Sequence, residues 1–503
     1  MKILKEVSKK EFKDFLYNID DTDENLYKEV NDINKIGVFQ LTAGTASKMV
    51  KDINPQNFDE MNACSAFARP GTMDFVDQYI SNRDSKTSPY PDSVSELLKE
   101  TNSICLYQEQ TMSIFNKIGG FSLEECNNIR GLMKKLSKAD KQEEDLKEWN
   151  KIISKFKRNA EKQGLSKTDA DNVANDLLNM SSYQFNKSHS VAYSYVSLMN
   201  LYLSVYFREY FYSSVLAYEA DKGDYLLDRL NSVKRKGFKI LPPDINLSKE
   251  HLSPVNKKTL IFGLGDVKYV GEKPSQIICE YAPYKDFIDF YLKISGNRIN
   301  IRAISSLIKI GAFDSLYPNR KKLLATVHNF WEIKKSTKLE DKLRILWDKA
   351  EKNINNLPGF ELTNDDLRQY EFECLGFNYF FTPFTDDFLN KIFEMEKKSM
   401  LKSDIMKVIK VGYKVPVVVN KIKSFNDKNG NEMAFVEIED YLGEVRSIPI
   451  FQSMWKFVKE YLVEGKVHLI NLFLKDGQVM FGENGFINDE DKIIKFVKRL
   501  DNL

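Results

Sequence analysis

From Gly37 to about Pro243, apolar side chains recur every three or four residues, the spacing of helices that bury one face. Val191, Tyr195, Leu198, Tyr202 and Val205 fall at spacings of four, three, four and three, which predicts one buried stripe. Proline or glycine interrupts the pattern at Arg69-Pro70-Gly71-Thr72, around Pro89 and Pro91, at Gly119-Gly120 and at Leu241-Pro242-Pro243-Asp244. Residues 1–36 read as an acidic helical lead-in and 321–404 as a charged helical connector. Thr259 to Phe262 reads as a strand, followed by glycine-punctuated turns and short helices.

From about Val408 the pattern becomes that of strands. Val415, Val417, Val419, Ile422 and Phe425 are β-branched, apolar or aromatic, and Asp427-Lys428-Asn429-Gly430 is a hairpin turn. Further strands are predicted over Met433–Ile438, Val445–Phe451, Lys466–Leu474 and Gln478–Phe481, with a helix near Ser453–Leu462. About five short strands with a helix before the fourth suggest a small OB-like barrel over 405–485. An open antiparallel sheet fits the same periodicity. The predicted fold is thus multidomain: mostly α-helical, ending in a C-terminal all-β barrel, with 486–503 as a tail helix.

Composition narrows the function classes. At ~150 residues per domain, 503 residues suggest three or four domains, with no need of disulfide or metal staples. Lys and Arg total 74 against 72 Asp and Glu, so the chain is no histone-like polycation, though a basic groove among acidic faces stays open. Five scattered cysteines without CxxC spacing argue for a reducing compartment and against a thiolate zinc site. The N-terminus has no apolar core of a secretory signal. The most apolar stretch, Tyr193 to Ala220, is broken by Asn200, Ser204, Arg208 and Glu209, so a buried helix is expected there instead of a membrane span. A cytoplasmic location follows as an expectation.

Candidate chemistry lies in a few segments. In Asn186-Lys187-Ser188-His189-Ser190-Val191-Ala192-Tyr193, Ser188 or Ser190 can cap the helix that follows. Lys187 and His189 then stand at a helix N-terminus, where free amides and the positive dipole end favour phosphate. The alternative is a capped helix with both side chains facing water. Arg130, Lys134 and Lys138 share one helix face, beside Lys135 and Lys141, and could neutralise successive phosphates. Glu143, Glu144 and Asp145 follow at once, which equally fits a solvated face. Phe262-Gly263-Leu264-Gly265-Asp266-Val267-Lys268-Tyr269-Val270-Gly271 fails both the dinucleotide and the P-loop spacings. It fits a helix-hairpin-helix turn on a DNA backbone, or a plain loop. No protease or hydrolase motif stands out, the four histidines are dispersed, and Asp20-Asp21 and Asp365-Asp366 read as surface pairs.

Read in order, several segments are familiar. They are Gly37-Val38-Phe39-Gln40-Leu41, Ala68-Arg69-Pro70-Gly71, Leu106-Tyr107-Gln108-Glu109-Gln110, Phe185 to Tyr193, Ile240 to Asn246, Phe262 to Gly265, Ile308 to Leu316 and Cys374-Leu375-Gly376-Phe377. Together the chain resembles the family C replicative polymerases, the alpha subunits of bacterial DNA polymerase III. The resemblance implies fingers over 37–250, a helix-hairpin-helix duplex-binding region over 251–320 and an OB domain near single-stranded template. It implies triphosphate contacts at Arg130, Lys187 and His189, with Lys134 and Lys135 on nucleotide or template phosphate. Gly263, Gly265 and Gly271 would offer amides to duplex phosphates, beside Lys268. Lys421, Lys423 and Phe425 would share one strand face toward single strands, whereas Phe435 is expected in the barrel core.

The departures shape the functional expectation. The family's PHP domain and its palm, whose three aspartates hold two metals, precede the Gly37-Val38-Phe39-Gln40-Leu41 segment, and nothing matching those aspartates is present here. A glycine, Gly131, stands where the family commonly has a second arginine, and the second hairpin's glycine is replaced near Lys273-Pro274. The chain therefore reads as the C-terminal subunit of a split DNA polymerase, inactive alone and without catalytic or metal-binding residues of its own. Expected partners are primer-template DNA, dNTP and a separate palm chain holding Mg²⁺. A sliding clamp is a further candidate, although 321–370 carry no clear clamp-binding motif. The rival reading is a non-catalytic DNA-binding scaffold. A Lys-, Asn- and Ile-rich composition suggests an AT-rich genome, of a phage or a bacterium.

Overall fold

The structure, a computed structural model, describes residues 18–32, 35–42, 44–69, 71–136, 143–180, 185–219, 224–295, 299–332, 339–355, 362–381, 405, 413–441, 445–475 and 478–482. Lys138, Lys141, Pro70, most of the predicted lead-in and the predicted tail helix lie outside the described residues. The chain divides into two compact units, 1–211 and 212–503.

The first unit is helical, as the three-and-four periodicity predicts. Its helices are α1 Glu24–Val30, α2 Gly44–Ile53, α3 Phe58–Phe67, α4 Val76–Ser85, α5 Asp92–Ser95, α6 Gln108–Lys117, α7 Leu123–Leu136, α8 Glu143–Lys162, α9 Lys167–Met180 and α10 Lys187–Tyr206. Helix α11, Arg208–Tyr218, crosses the division. Asn57 caps α3 by accepting from the Glu60 amide at 2.9 Å. Helix α3 buries Met61, Asn62, Ala63, Cys64, Ala66 and Phe67, so nearly every face meets protein.

Helix α10 departs from the predicted stripe. Its buried positions are Ser190, Ser194, Ser197, Leu198, Leu201 and Ser204, while Tyr195 is 45 % exposed. Four, three, four and three is again the spacing, but the face is turned toward serines. Small side chains let the helix approach closely, and each hydroxyl finds an acceptor, as burial requires. Ser190 and Ser194 donate to Asn62 Oδ1 at 2.5 and 2.9 Å, and Ser197 donates to the Phe39 carbonyl at 2.8 Å.

In the second unit, α12 (Asp224–Arg235) leads to β1 (Lys239–Leu241), β2 (Ser253–Asn256) and β3 (Thr259–Ile261). These form a small sheet in the order β1-β3-β2, with β1 and β3 parallel. Only β3 is foreseen from the sequence. Residues 241–244, with two prolines, read as a break, and β1 ends as they begin. Then come α13 Glu272–Tyr281, α14 Phe287–Ile294, α15 Ile301–Ile310, α16 Arg320–Glu332, α17 Leu339–Asn355 and α18 Asn364–Leu375. Rings of Phe287, Phe290 and Phe313 pack at 4.8–5.8 Å in their core. Helix α15 buries Ala303, Ile304, Leu307, Ile308 and Ile310. The stretch read as a connector packs onto this helix: Cys374 Sγ meets the Ser306 carbonyl at 3.3 Å and Lys309 pairs with Glu373 at 2.5 Å.

The β segment comprises β4 Tyr413–Asn426, β5 Glu432–Glu439, β6 Val445–Ile450, α19 Gln452–Val458, β7 Val467–Lys475 and β8 Gln478–Phe481. All pairings are antiparallel, in the order β6-β5-β4-β7-β8. The edge strands β6 and β8 approach one another, so the sheet nearly closes into an OB-like barrel. Val415, Val417, Val419, Val436, Ile438, Ile448, Ile450, Ile470 and Leu472 fill it, and α19 adds Trp455 and Val458.

Candidate nucleotide and DNA sites

Motifs far apart in sequence meet at the start of α10. Tyr107 bridges Phe185: the Gln108 amide donates to the Phe185 carbonyl at 3.0 Å, and the Phe185 amide to the Leu106 carbonyl at 3.1 Å. The Arg69 guanidinium lies over the Phe185 ring, 4.1 Å from its centroid. Phe185, His189 and Tyr193, four residues apart, continue as a ladder of rings at 5.8 and 4.3 Å, and Phe39 stacks on Tyr193 at 5.4 Å. The Phe39 amide donates to Asn200 Oδ1 at 3.0 Å, which holds the ring-bearing loop against α10. The result is a cation-capped aromatic row with His189 and Phe39 exposed.

Capping here differs from the expectation. Asn186, not Ser188 or Ser190, is the cap, accepting from the His189 amide at 2.8 Å. Ser190 is turned inward to Asn62. The Lys187 amide donates to Glu109 Oε2 at 3.0 Å, so a carboxylate of the chain itself already occupies the anion-favouring end. The Lys187 ammonium pairs with Glu100. Burial, then Glu100, pushes the nearby Asp59 carboxyl up, while Lys187 opposes. Any phosphate would therefore meet the Lys187 and His189 side chains before the amides.

The other nucleotide candidates stand on α7. Arg130 is exposed, its Nη2 donating to Asn127 Oδ1 at 2.8 Å. Lys134 is exposed, and Lys135 lies 3.6 Å from Asp145, an acidic first-turn residue of α8. Arg69, Phe39, Tyr193, Glu100 and Glu109 are the site members that sequence reasoning left without a role. Four of them lie inside quoted segments, and the i, i+4, i+8 run of Phe185, His189 and Tyr193 was the available signal.

At the first hairpin turn the glycines do something other than present amides. The Gly263 amide donates to Asp266 Oδ2 at 3.2 Å, and the Gly265 amide to the Glu250 carbonyl at 2.8 Å. Both donors are spent inside the fold. A Cβ on Gly263 would lie 2.3 Å from His251 Cα, so the glycine permits backbone-on-backbone packing. Lys268 is exposed and remains a candidate cation, with its amide bonded to the Cys374 carbonyl at 2.8 Å. Gly271 caps α13 at φ 72° with open space around it.

On the barrel, Lys421, Lys423 and Phe425 are exposed on one face of β4, as alternation predicts. Phe435 is not in the core. It faces Lys423 across the strands, is 42 % exposed, and stacks on Phe425 at 5.5 Å with planes 12° apart. Alternation explains this: Ala434, Val436 and Ile438 point inward, which puts Phe435 outward.

Burial pushes the Cys105 and Cys374 thiols up to about 12. Among the described residues no three His, Cys, Asp or Glu come together as metal ligands, and no helix is long and apolar enough to cross a membrane.

Comparison with known proteins gives these sites a family context. Residues 1–160 match the family model for the bacterial DNA polymerase III alpha subunit finger domain, and 237–323 match a helix-hairpin-helix motif. The chain is 29 % identical over 460 residues to DNA polymerase III subunit alpha of Campylobacter jejuni, covering 87 % of this chain and 37 % of that protein. To the subunit of Aquifex aeolicus it is 29 % identical over 472 residues, covering 90 % and 38 %, and to that of Borreliella burgdorferi 29 % over 466, covering 90 % and 40 %. The chain spans about two fifths of the length of these relatives. With a finger match, a helix-hairpin-helix match and an OB-like barrel in one chain, it is similar to a portion of the DNA polymerase III alpha subunits.

Proposed function

We propose that this chain supplies the dNTP-triphosphate and DNA contacts of a template-directed DNA polymerase, working in a reducing cytoplasm with a palm outside these residues. The observation that carries the reading is the meeting of the Gly37–Leu41, Ala68-Arg69, Leu106–Gln110 and Phe185–Tyr193 segments around Lys187 and His189. Lys187 and His189 bind the triphosphate, and the exposed Phe39 ring orients the nucleotide beside them. Arg130, Lys134 and Lys135 meet nucleotide or template phosphate from α7. Lys268 and the Gly271 turn hold duplex, and Lys421, Lys423, Phe425 and Phe435 meet single-stranded template.

In this reading two Mg²⁺ ions would be held by a separate chain and would supply activation of the primer hydroxyl and stabilisation of the leaving pyrophosphate. The residues of this chain bind and orient, and take no part in metal ligation. Glu100 is a built-in competitor: it holds the Lys187 ammonium until a triphosphate, with more charge, displaces it.

The test is primer extension with Mg²⁺ by the purified chain, alone and mixed with a palm-bearing chain. Extension only in the mixture is expected. Robust extension by the chain alone refutes the split arrangement, and a mixture that binds DNA without using dNTP favours the scaffold reading.

A further inference from the structure

Lys187 stands where three elements bring carboxylates together. We propose that a triphosphate drawing the Lys187 ammonium off Glu100 makes the Glu100 and Asp59 carboxylates take up one proton between them, so that nucleotide entry at this site is proton-coupled. The proposal rests on the triphosphate reading above and deepens it.

Glu100 lies in the short 3₁₀ helix Glu96–Thr101, Asp59 in the first turn of α3 and Glu109 in the first turn of α6. The Lys187 ammonium pairs with Glu100, and the Lys187 amide donates to Glu109 Oε2 at 3.0 Å. Glu100 also accepts from Gln110 Nε2, at 3.3 Å. The two side chains of the ion pair are 36 and 29 % exposed, so their charges are partly withdrawn from water. Burial raises the Asp59 carboxyl first, the Glu100 charge raises it next, and Asp21 and Glu60 add to the rise, while Lys187 opposes. The other charged neighbours are engaged. Glu60 lies 3.5 Å from Arg83 and accepts from the Gln56 amide at 2.8 Å. On the helix of Glu100 itself, Lys99 lies 4.0 Å from Glu96. The Tyr107 hydroxyl accepts from Asn62 Nδ2 at 2.8 Å, and burial first, then Glu100, Tyr79 and Asp59, hold it far above the ordinary phenol range.

A triphosphate carries more charge than one carboxylate and so takes the ammonium, which stays protonated as it moves. Glu100 and Asp59 already repel one another, and the cation that opposed this has then gone to the phosphate oxygens. Like charges in a partly buried place disfavour ionisation of both. Water supplies the proton, and the two carboxylates hold it as a coupled pair. The sign follows: a proton taken up on binding makes affinity fall as pH rises out of the carboxyl range. His189 adds protons of its own to the wild type and to carboxylate variants alike, so a difference between those chains belongs to the carboxylates.

The test is isothermal titration calorimetry of the full chain with dATP and excess Mg²⁺, from about pH 5.5 to about pH 8, in buffer pairs of different ionisation enthalpy that count the protons exchanged. Uptake by the wild type should exceed that of Glu100→Gln and of Asp59→Asn by up to about one proton. Glu100→Gln should bind about two- to fivefold tighter at the alkaline end, an advantage that fades as pH falls and Glu100 is neutralised. Circular dichroism checks that both variants are folded. Equal proton counts in the wild type and both folded variants overturn the coupling and leave the triphosphate reading standing. Weaker binding by folded Glu100→Gln at every pH overturns the displacement of Glu100 and the coupling with it. No binding of dATP by the wild-type chain overturns the triphosphate reading and the coupling together.

Discussion

Replacing Gly263 by alanine should open the first hairpin turn, and any effect on DNA should follow from that. A Cβ there would lie 2.3 Å from His251 Cα, 2.4 Å from its carbonyl carbon and 2.5 Å from the Glu250 carbonyl oxygen. These are backbone atoms, so no rotamer change relieves the contact. The 249–251 segment must retreat, and with it go the bonds from the Leu264 amide to the Lys249 carbonyl, 3.0 Å, and from the Gly265 amide to the Glu250 carbonyl, 2.8 Å. Two such bonds contribute about 0.5–1.5 kcal/mol each. Overpacking adds about 1–3 kcal/mol. The sum is a local loss of about 2–6 kcal/mol. Because the chain has two units, a single melting temperature is the wrong readout, and hydrogen exchange over peptides spanning 249–266 is the right one. The lower bound, about 2 kcal/mol, speeds local exchange about thirtyfold. Gly271→Ala is the internal control. Its Cβ meets nothing within 4 Å, and only the backbone at φ 72° and ψ 177° opposes it, at a cost of about 1–3 kcal/mol and without displacing a neighbour. Unchanged protection in Gly263→Ala would refute the packing role and return this glycine to the phosphate-binding one.

Three further perturbations follow from the described contacts. In the reconstituted polymerase, Lys187→Ala and His189→Ala should raise KM for dNTP roughly ten- to a hundredfold, or lower kcat, with little change in DNA affinity; steady-state kinetics beside DNA titrations would read it. Phe425→Ala and Phe435→Ala should each lower single-strand affinity by about 1–3 kcal/mol with little change in hydrogen-exchange protection of the barrel strands, since both rings are exposed, and a large loss of that protection with intact binding would make them structural. Burial first, and Asp440 after it, push the Glu439 carboxyl up to about 7, with Asn420 and Arg368 opposing and Glu437 adding to the rise. The folded barrel therefore favours the protonated acid, so its contribution is complete below the ordinary carboxyl range and is lost as pH rises toward about 7. Glu439→Gln should stabilise the chain more at pH 8 than at pH 5, and the same increment at both would contradict that reading.

The barrel was legible in the sequence because its signal is local. β5 alternates buried with more exposed positions, and the Asp427 carboxylate holds the turn by accepting from the Asn429 and Asn431 amides at 2.8 Å each. The same alternation places Phe435 outside. Strand register, not aromatic character, decides which side that ring takes. Strand β1 was not legible, since three residues beside two prolines carry too little pattern to outweigh the break. Its pairing with Thr259–Ile261 is a tertiary fact.

Helix α10 shows why the site was half legible. Periodicity weighs hydrophobicity, and it chose the tyrosine face because serine scores as polar. Packing weighs volume and hydrogen bonding together. Ser190 and Ser194, with Asn62 as their acceptor, come closer to α3 than tyrosines could, and that closeness sets the register of the helix. Once Ser190 and Ser194 face Asn62, the helical period turns His189 and Tyr193 toward Phe39 and sets Phe185 behind them. Asn62 Nδ2 in turn donates to the Tyr107 hydroxyl at 2.8 Å, so the buried serine contact and the Tyr107–Phe185 bridge share one hub. The exposed ring row is therefore a consequence of the buried serine row. A substitution such as Asn62→Leu, at a buried position behind the ring row, should disturb Lys187 and His189 by releasing that register.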